Sequence, residues 1–259
     1  MLRFTSLGSG SSGNATVVEA TSGITTTRLL VDAGLGLKEL EHRLGRAGLS
    51  CADIDAVFVT HEHGDHVGCA IAFATLRGIP IWMSRGTWRA IGAMERPPGL
   101  RFARDGEAIA VGDLEVLPVT VPHDAAEPLQ LVASDGGVRL GIVTDLGAPT
   151  PHLLAHLSRL HALLLECNHD PALLASSRYP SFLKARIGGR FGHLSNALAA
   201  ELLAACRTAS LGRVAAAHLS RENNSPALVR EALAAVWSAE PEDLVVADAE
   251  NGFGWLAVG

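Results

Sequence analysis

The sequence predicts an α/β protein, because short apolar runs typical of buried strands alternate along it with segments of helical periodicity. Ala56 to Thr60 is such a β-branched apolar run, and polar residues follow it directly. Leu37, Leu40 and Leu44 instead recur at helical spacing, and Gly48 ends that pattern. The 259 residues suffice for one large domain, and no linker-like stretch divides them. We therefore expect one domain over residues 1–259.

The composition excludes several classes of protein. Apolar residues make up 48% of the chain, but no apolar run approaches the length that a bilayer requires, so we expect no membrane partner. The first residues lack a secretory signal pattern, and four widely spaced cysteines suggest reduced thiols and a cytoplasmic protein. The net charge of −6 argues against a broad electrostatic grip on nucleic acid, although metal ions could still capture phosphate locally.

The first elements surround a loop of small residues. Strands predicted at Leu2 to Leu7 and Thr16 to Glu19 flank the glycine- and serine-rich segment 8–14, which ends at Asn14. Such backbone can direct successive N–H groups at an anion, although a plain hairpin turn is the better explanation of this loop taken alone. The next strand, Arg28 to Val31, ends at Asp32, which could either orient a ligand imidazole or cap the following helix.

The most informative segment is His-Glu-His-Gly-Asp-His, directly after the strand at Ala56 to Thr60. Its imidazoles and carboxylate suit borderline divalent metals such as zinc, manganese or iron. Residues two apart in extended backbone point to the same side, so His61 and His63 can hold one ion while Asp65 and His66 face another. A polar surface loop with chance histidines is the alternative.

Further strands and helices follow from the same patterns. The predicted strands are Ile79 to Met83, Asp113 to Val121, Leu129 to Ser134, Val138 to Thr144, Ala162 to Leu165, Arg213 to Ala217, Leu244 to Ala247 and Phe253 to Val258. The predicted helices are Val67 to Leu76, Arg85 to Met94, Ala197 to Cys206 and Pro226 to Trp237.

Polar side chains recur where these strands end. His123, Asp145, Glu166 and His218 each lie at or just after a predicted strand terminus, and a carboxylate such as Asp145 could bridge two cations. His152 and His156 are four apart on a predicted helix, but no third ligand accompanies them, so a solvated helix face explains them better.

A second candidate site lies at the start of the helix predicted from Ala197. His193 precedes it, with Ser195 and Asn196 between, so backbone N–H groups and the positive end of the helix dipole face whatever His193 touches. This arrangement favours phosphate, with Asn14, Ser195 and Asn196 as candidate substrate-binding residues. Ser195 or Asn196 could instead simply cap the helix.

These residues, taken in order, resemble the five motifs of metallo-β-lactamase-fold hydrolases over nearly the whole chain. Those motifs are matched by Asp32, the His61/His63/Asp65/His66 loop, His123, Asp145 and His218. The resemblance implies an αββα sandwich with the site at one edge. A lactamase of the best-known kind has cysteine at the position of Asp145, so antibiotic hydrolysis is disfavoured.

Further motifs are most similar to the YycJ/WalJ-like family. The matching segments are Gly-Ser-Ser-Gly-Asn at 10–14, His-Asp-Ala-x-Glu-Pro at 123–128, Glu-x-Asn-His-Asp at 166–170, Gly-His-Leu-Ser-Asn at 192–196 and His-Leu-Ser-x-Glu-Asn-Asn at 218–224. Glu166 and His193 also resemble the pair that tRNase Z-like and RNase J-like nucleases add to the metal core. The chain lacks the tRNA-gripping arm of the former and the inserted domain of the latter.

The resemblance implies a single-domain 5′→3′ DNA exonuclease with two divalent metal ions, zinc or manganese, that share a hydroxide. His61, His63 and His123 would hold one ion, Asp65, His66 and His218 the other, and Asp145 would bridge them. Asp65 would also orient the nucleophile, Asp32 would support a ligand imidazole, and His193, held protonated by Glu166, would donate a proton to the leaving group.

The sequence leaves three points open. His193 and His218 could exchange roles as the seventh ligand. A small-molecule phosphodiesterase or another hydrolase of the same fold is the main alternative, which the negative net charge favours, and a metal-binding module without catalysis is the second. The sequence does not choose an oligomeric state.

Overall fold

Successive side chains of a strand alternate between the two faces of its sheet, and apolar side chains occur on both faces. Each sheet therefore has one apolar layer on either side. A computed structural model of the protein describes residues 1–93, 95–237, 240 and 244–259. Side chains of successive strand residues point to opposite sides. Val18 and Leu29 accordingly lie in a core between two sheets, whereas Val17 and Leu30 lie in a second core beneath helices. Both faces of the sheet are therefore covered.

Each of the two sheets is mixed and has seven strands within the described residues. The first is formed, in spatial order, by Phe253–Ala257 (β14), Leu2–Gly8 (β1), Ala15–Ser22 (β2), Thr25–Val31 (β3), Ala56–Phe58 (β4), Ile81–Met83 (β5) and Leu100–Phe102 (β6). The second is formed by Val245–Val246 (β13), Arg213–Ala217 (β12), Ala162–Glu166 (β11), Arg139–Val143 (β10), Leu129–Ser134 (β9), Leu114–Thr120 (β8) and Ile109–Val111 (β7).

Helices cover the outer faces of both sheets. The helices are Leu37–Arg46 (α1), Gly64–Val67 (α2), Ala70–Arg77 (α3), Arg85–Ile91 (α4), Pro151–His156 (α5), Pro171–Ser176 (α6), Ser181–Ile187 (α7), Asn196–Cys206 (α8) and Pro226–Trp237 (α9), with a 3-10 turn at Cys51–Asp53. Apolar side chains of α1 and α3 pack on the first sheet, and those of α5, α8 and α9 pack on the second. The αββα layering that the resemblance implied is thereby confirmed.

Most predicted elements agree with the structure to within a few residues, but one helix does not. The helix expected over Val67 to Leu76 is wrong as a single element, because the chain turns at Gly68 between α2 and α3. Gly68 has φ of +29°, and a Cβ there would lie 2.4 Å from the carbonyl oxygen of Ala33. The expected end of the next helix at Met94 lies outside the described residues.

Two further observations concern the described residues. Within the described part of the chain, no helix combines the length and apolar character needed to cross a membrane. Cys51, Cys69, Cys167 and Cys206, all of them described, are free thiols.

Candidate metal centre

Within each sheet, the chemistry-bearing residues reach one edge because the strands that precede them run in the same direction. β3 and β4 are parallel neighbours in the first sheet, and β10, β11 and β12 are parallel neighbours in the second. β8 lies antiparallel to β9, which is antiparallel to β10, so β8 has the same direction as β10. The residues brought to this edge by the ends of these strands are Asp32, His61, His123, Asp145, Glu166 and His218.

The first group of ligand-type atoms consists of imidazole nitrogens only. His61 Nε2 lies 3.0 Å from His63 Nδ1, which lies 3.3 Å from His123 Nε2. Three nitrogens on a tetrahedral zinc ion, each about 2.0–2.1 Å from the metal, would be about 3.3 Å apart. The spacing of these atoms therefore fits one small divalent ion.

The second group combines Asp65, His66 and His218. Asp65 Oδ2 lies 3.5 Å from His218 Nε2 and 3.9 Å from His66 Nε2. Asp145 lies between the groups: its Oδ2 is 2.6 Å from His66 Nε2, and it also belongs to a group with His61 and His66. A carboxylate in this position can contact ions in both groups.

Two buried atoms test whether the residues fit a metal. Among the described residues, His218 Nε2 has no hydrogen-bond partner, and Asp145 Oδ2 accepts no hydrogen bond although it is close to His66. Leaving a buried polar group unpaired costs about 1–3 kcal/mol. A cation bound between these atoms would remove that cost, so the residues fit the metal ions that the fold implies.

The second nitrogen of each buried imidazole is held by a neighbour. His66 Nδ1 lies 2.7 Å from Asp32 Oδ2, and the same carboxylate accepts hydrogen bonds from Thr60, whose hydroxyl lies 3.0 Å from His61 Nδ1. His123 Nδ1 lies 2.9 Å from the carbonyl oxygen of Gly192. A carbonyl only accepts, so His123 Nδ1 carries the proton and Nε2 presents its lone pair to the first group.

Glu166 is fixed by four contacts. Its Oε2 accepts hydrogen bonds from the backbone N–H groups of Leu146 and Leu194, at 3.0 Å and 3.2 Å. Its Oε1 lies 2.7 Å from His193 Nδ1 and 3.2 Å from His218 Nδ1. Glu166 therefore orients both imidazoles, and the Nε2 of His218 is left facing Asp65.

The pKa values of the histidines are shifted downward in the first group of ligand-type atoms and upward in the second. Burial holds the pKa of His61 well below its ordinary value and also lowers the pKa of His123. Burial acts in the same direction on His66 and His218, but the Asp145 carboxylate beside them raises the pKa of each to about 10. Metal binding would displace protons from His66 and His218, because only the neutral imidazole binds a metal.

The carboxylates beside His193 favour its protonated form. Burial alone lowers its pKa, but the carboxylates of Glu166 and Asp145 raise it well above the ordinary value. The His193 side chain is 23% exposed, whereas the Glu166 side chain is fully buried. An imidazole whose protonated form is favoured is therefore held by a buried carboxylate and is partly exposed at the surface of the site.

Three site residues have left-handed backbone. Asp32, Asp145 and His218 have φ of 60°, 52° and 57°. Few non-glycine residues adopt this conformation, and those that do cluster at functional sites. Each of the three lies just beyond a strand, where the left-handed turn brings its side chain back toward the groups described above.

The candidate substrate-binding residues are mostly engaged with the protein. The Asn14 side chain donates to the Asp65 carbonyl oxygen and lies 3.0 Å from His66 Nε2. Ser195 caps α8 by accepting from the backbone N–H of Leu198, and Asn196 is hydrogen-bonded to Asn224. Substrate binding by these residues stays a prediction.

His152 and His156 lie outside the site. His152 Nε2 is 2.9 Å from the exposed carboxylate of Asp105, and neither histidine belongs to a group of ligand-type atoms in the described chain. This agrees with the solvated helix face that their spacing suggested.

Sequence reasoning missed two residues at this edge. Thr60 links Asp32 to His61, but a threonine that ends a β-branched strand gives no distinctive signal. His169 is 3% exposed and follows β11. Its position just after a buried strand was the same signal that identified His123.

Comparisons with known proteins agree with this geometry. Residues 27–218 match the model of the beta-lactamase superfamily domain. The chain is similar to exodeoxyribonuclease YycJ of Bacillus anthracis, with 34% identity over 91% of this chain and 89% of the relative. It is 30% identical to exodeoxyribonuclease WalJ of Streptococcus pneumoniae, over 86% of this chain and 83% of the relative. Among solved structures, the metallo-beta-lactamase fold protein YhfI of Bacillus subtilis superposes with a TM-score of 0.74 at 18% identity, covering 99% of this chain and all of the other.

Proposed function

The chain belongs to the beta-lactamase superfamily and, within it, to the family of YycJ and WalJ, and from that premise we propose that it is a dinuclear metal-dependent phosphodiesterase acting as a 5′→3′ DNA exonuclease. The observation that carries the proposal is that Asp145 lies between two groups of ligand-type atoms, with the Glu166–His193 pair beside it. Both relatives are named exodeoxyribonucleases, which supports DNA as the substrate.

The ligand assignment follows from the contacts. His61, His63 and His123 would hold one ion, and Asp65, His66 and His218 the other, with Asp145 in contact with both. The position of His218 Nε2, 3.5 Å from Asp65 Oδ2, favours His218 over His193 as the seventh ligand. Zinc and manganese suit this mixture of imidazole and carboxylate.

Divalent ions bound there would supply a nucleophile from water at neutral pH and neutralise charge on the scissile phosphate. Asp65, which is partly exposed, would orient that nucleophile. The alkoxide leaving group requires a proton, and protonated His193 would donate it. Glu166 would position His193 and favour its protonated form.

A locally basic segment supports a nucleic acid substrate despite the negative net charge. Residues 171–192 contain four basic residues and no Asp or Glu. Arg178 and Arg190 are exposed, and so are Phe182 at 75% and Phe191 at 57%. Exposed aromatics beside cations suit single-stranded nucleic acid, because bases stack on the rings while phosphates contact the charges.

Digestion of labelled DNA by the purified protein tests this proposal. The protein would be freed of metal, reloaded with zinc or manganese, and given 5′-labelled and 3′-labelled DNA together with bis-p-nitrophenyl phosphate. We expect stepwise release of nucleotides from the 5′ end. Hydrolysis of the small diester with no action on DNA would instead indicate a small-molecule phosphodiesterase.

Variants of the acid pair separate catalysis from simple metal binding. His193→Ala and Glu166→Gln should lower the rate of DNA cleavage by about 10²-fold, because a positioned proton donor contributes about that much. Rates within threefold of wild type, with metal content unchanged, would exclude the assignment of His193 as the acid.

Two broader expectations accompany this function. We propose that residues 1–259 act as one catalytic domain, without the added arm or inserted domain that some related nucleases use. The free thiols of the described chain agree with the predicted cytoplasmic location, which stays a prediction.

A further inference from the structure

His63 differs from the other two histidines of the first group in the nitrogen that it presents. Its Nδ1 lies among the ligand-type atoms, whereas His61 and His123 present Nε2. A neutral imidazole that offers Nδ1 as a lone pair to a metal carries its proton on Nε2. The Nε2–H of His63 therefore faces away from the first group and requires an acceptor of its own.

Asp124 is the carboxylate that faces this nitrogen. Asp124 Oδ1 lies 3.8 Å from His63 Nε2, which is within ion-pair range although longer than a hydrogen bond. The two side chains are 31% and 27% exposed, so both have room to rotate and close this distance. Asp124 belongs to none of the groups of ligand-type atoms in the described chain. It therefore lies beside the ligands of the first group and not among them.

Arg186 of α7 holds the other oxygen of Asp124. Arg186 Nε donates to Asp124 Oδ2, which leaves Oδ1 directed at His63. The Arg186 side chain is 61% exposed, but its backbone is packed against the turn that follows α7. A Cβ at Gly192 would lie 2.1 Å from the Arg186 carbonyl oxygen, and the Gly189 N–H donates to that oxygen. The guanidinium therefore extends from a fixed point of the chain.

The same stretch supports a second ligand of the first group. The Gly192 carbonyl oxygen lies 2.9 Å from His123 Nδ1 and accepts its proton in a hydrogen bond. Residues 181–192 thus reach two imidazoles of the group, one directly through Gly192 and the other through Arg186 and Asp124. Imidazoles that bind a metal usually donate their other N–H to a carboxylate or a carbonyl oxygen. The arrangement has the chemistry of a support for metal ligands.

We propose that Asp124 is a positioning residue for the first ion, which accepts a hydrogen bond from His63 Nε2 while Arg186 holds its carboxylate in place. This inference rests on the metal ligands assigned under the proposed function, and it adds the group that orients His63. Because the ion favours the ring orientation that Asp124 holds, binding of the ion and the Asp124–Arg186 pair stabilise one another. Occupancy of the first site is in this way linked to the position of α7.

Contact with a DNA phosphate is the competing role for Arg186. Arg178 and Arg190, in the same segment, are exposed cations that we assign to phosphate. Arg186 differs from them because its guanidinium is paired with Asp124. A phosphate contact acts on affinity for DNA and leaves metal affinity unchanged, whereas a positioning role acts on metal affinity when no DNA is present. Measurements without nucleic acid therefore separate the two roles.

Titration of the metal-free protein with Co²⁺ against a competing chelator tests the proposal. The competition gives the dissociation constant of each bound ion. The visible absorption bands of bound Co²⁺ report the geometry of its ligands, so they detect a change in the orientation of His63. Neither readout depends on hydrolysis of a substrate.

Asp124→Ala should weaken one of the two Co²⁺-binding steps about tenfold and change the visible bands, because residues that orient a metal ligand contribute about that much to affinity. Asp124→Asn keeps an oxygen acceptor for His63 and should restore the bands and most of the affinity. Arg186→Ala should weaken the same step about threefold, the scale of an exposed ion pair. The double variant should lose no more than Asp124→Ala alone, because Arg186 acts through Asp124.

Arg104 and Glu107 provide the matched controls. They form another exposed ion pair, at 3.4 Å, and neither belongs to a group of ligand-type atoms in the described chain. Arg104→Ala and Glu107→Ala should therefore leave the Co²⁺ dissociation constants and the visible bands as they are in the wild-type protein.

The outcomes distinguish this inference from the proposed function. A wild-type protein that binds no Co²⁺ overturns both. Two ions bound with affinities that Asp124→Ala and Arg186→Ala leave unchanged overturn the positioning role alone. If Asp124→Asn binds as weakly as Asp124→Ala and neither changes the bands, the carboxylate acts only through its charge, which also overturns that role.

A wild-type protein that binds two ions but hydrolyses neither DNA nor bis-p-nitrophenyl phosphate overturns the proposed function, whereas the effect of Asp124 on Co²⁺ binding is still measured directly. Arg186→Ala changes an exposed side chain and keeps the test decisive if Asp124→Ala does not fold.

Discussion

At the residue scale, the candidate centre depends on side chains that are oriented by hydrogen-bond contacts to neighbouring protein groups. Glu166 is the clearest case, because its four contacts hold one carboxylate between His193 and His218. The sequence could indicate Glu166 and His193 as a pair only through resemblance. Their contact depends on β11 and the segment before α8 meeting in space, which no local pattern encodes.

The pH dependence of catalysis should report this contact. The Glu166 carboxylate raises the pKa of His193, and the protonated imidazole is the active form, so activity is retained at neutral pH and lost as pH rises through that raised pKa. In Glu166→Gln the pKa of His193 should fall, and the alkaline limb of the kcat profile on DNA should move to lower pH. Glu115→Gln, which changes an exposed carboxylate on β8, is the control. An alkaline limb that does not move would contradict the role of Glu166.

The left-handed backbone at Asp32, Asp145 and His218 could not be predicted from local preference. The sequence places each residue at or beyond a strand end, but polar residues at strand ends are common and most are ordinary turns. What distinguishes these three is φ near +55°, and that conformation is imposed by the packing around them. The residues were therefore predictable, whereas the means by which they converge was not.

At the element scale, strands with clear apolar patterns were predicted, whereas two short edge strands were missed. Ala162–Glu166 and Arg213–Ala217 are buried runs that stand out in the sequence. Leu100–Phe102 and Ile109–Val111 have only three residues each, too few to establish a period of two, and they form the edges of the two sheets. Tertiary pairing, not local pattern, makes them strands.

The His61 loop, which ends in the short helix α2 with Asp65 and His66, depends on a close approach of backbone at Gly34. A Cβ at Gly34 would lie 1.7 Å from the Asp65 carbonyl oxygen. Gly34→Ala should therefore displace this loop, reduce bound metal at least tenfold and lower the free energy of unfolding by about 3 kcal/mol. Elemental analysis and thermal unfolding measure the two effects.

Gly36 is the matched control, because a Cβ there meets nothing within 4 Å. Gly36→Ala should retain metal and change the free energy of unfolding by no more than about 1 kcal/mol, the scale of losing a helix N-cap. Equal metal loss in both variants would show that the close approach at Gly34 is not what positions the loop.

The segment 171–192 should govern affinity for DNA without affecting the chemistry. Arg178→Ala and Arg190→Ala each remove an exposed cation that we assign to phosphate contact. Each should raise KM for DNA and reduce the salt dependence of binding by about one released counterion. Arg77→Ala, an exposed arginine on α3, is the control. An equal loss on bis-p-nitrophenyl phosphate would place these arginines in the catalytic machinery instead.

At the scale of the whole molecule, the two sheets meet at one edge through their ligand-type residues. The His61 loop belongs to the first sheet, whereas His123, Asp145 and His218 follow strands of the second. The layering could be predicted because the motifs span nearly the whole chain in order. Their convergence requires both sheets to be formed, so it is a property of the complete fold.

Metal ions should therefore stabilise the fold as well as the site. Ions present at about 100 times their dissociation constant add about 2.7 kcal/mol to the free energy of unfolding. For a chain of this size, that corresponds to a rise in Tm of roughly 5–10 °C. Differential scanning calorimetry before and after chelation measures it. The His152→Ala variant should keep the shift in Tm, whereas the His61→Ala variant should lose most of it. An unchanged Tm of the wild-type protein after chelation would contradict a link between the sheets through bound metal.

The central claim is that residues from both sheets surround one pair of cations. Anomalous diffraction from crystals of the metal-loaded protein measures this directly. We predict two peaks about 3.5–4 Å apart, one contacted by His61, His63 and His123, the other by Asp65, His66 and His218, and both by Asp145. A single peak, or peaks that leave His123 or His218 without a metal contact, would contradict the account.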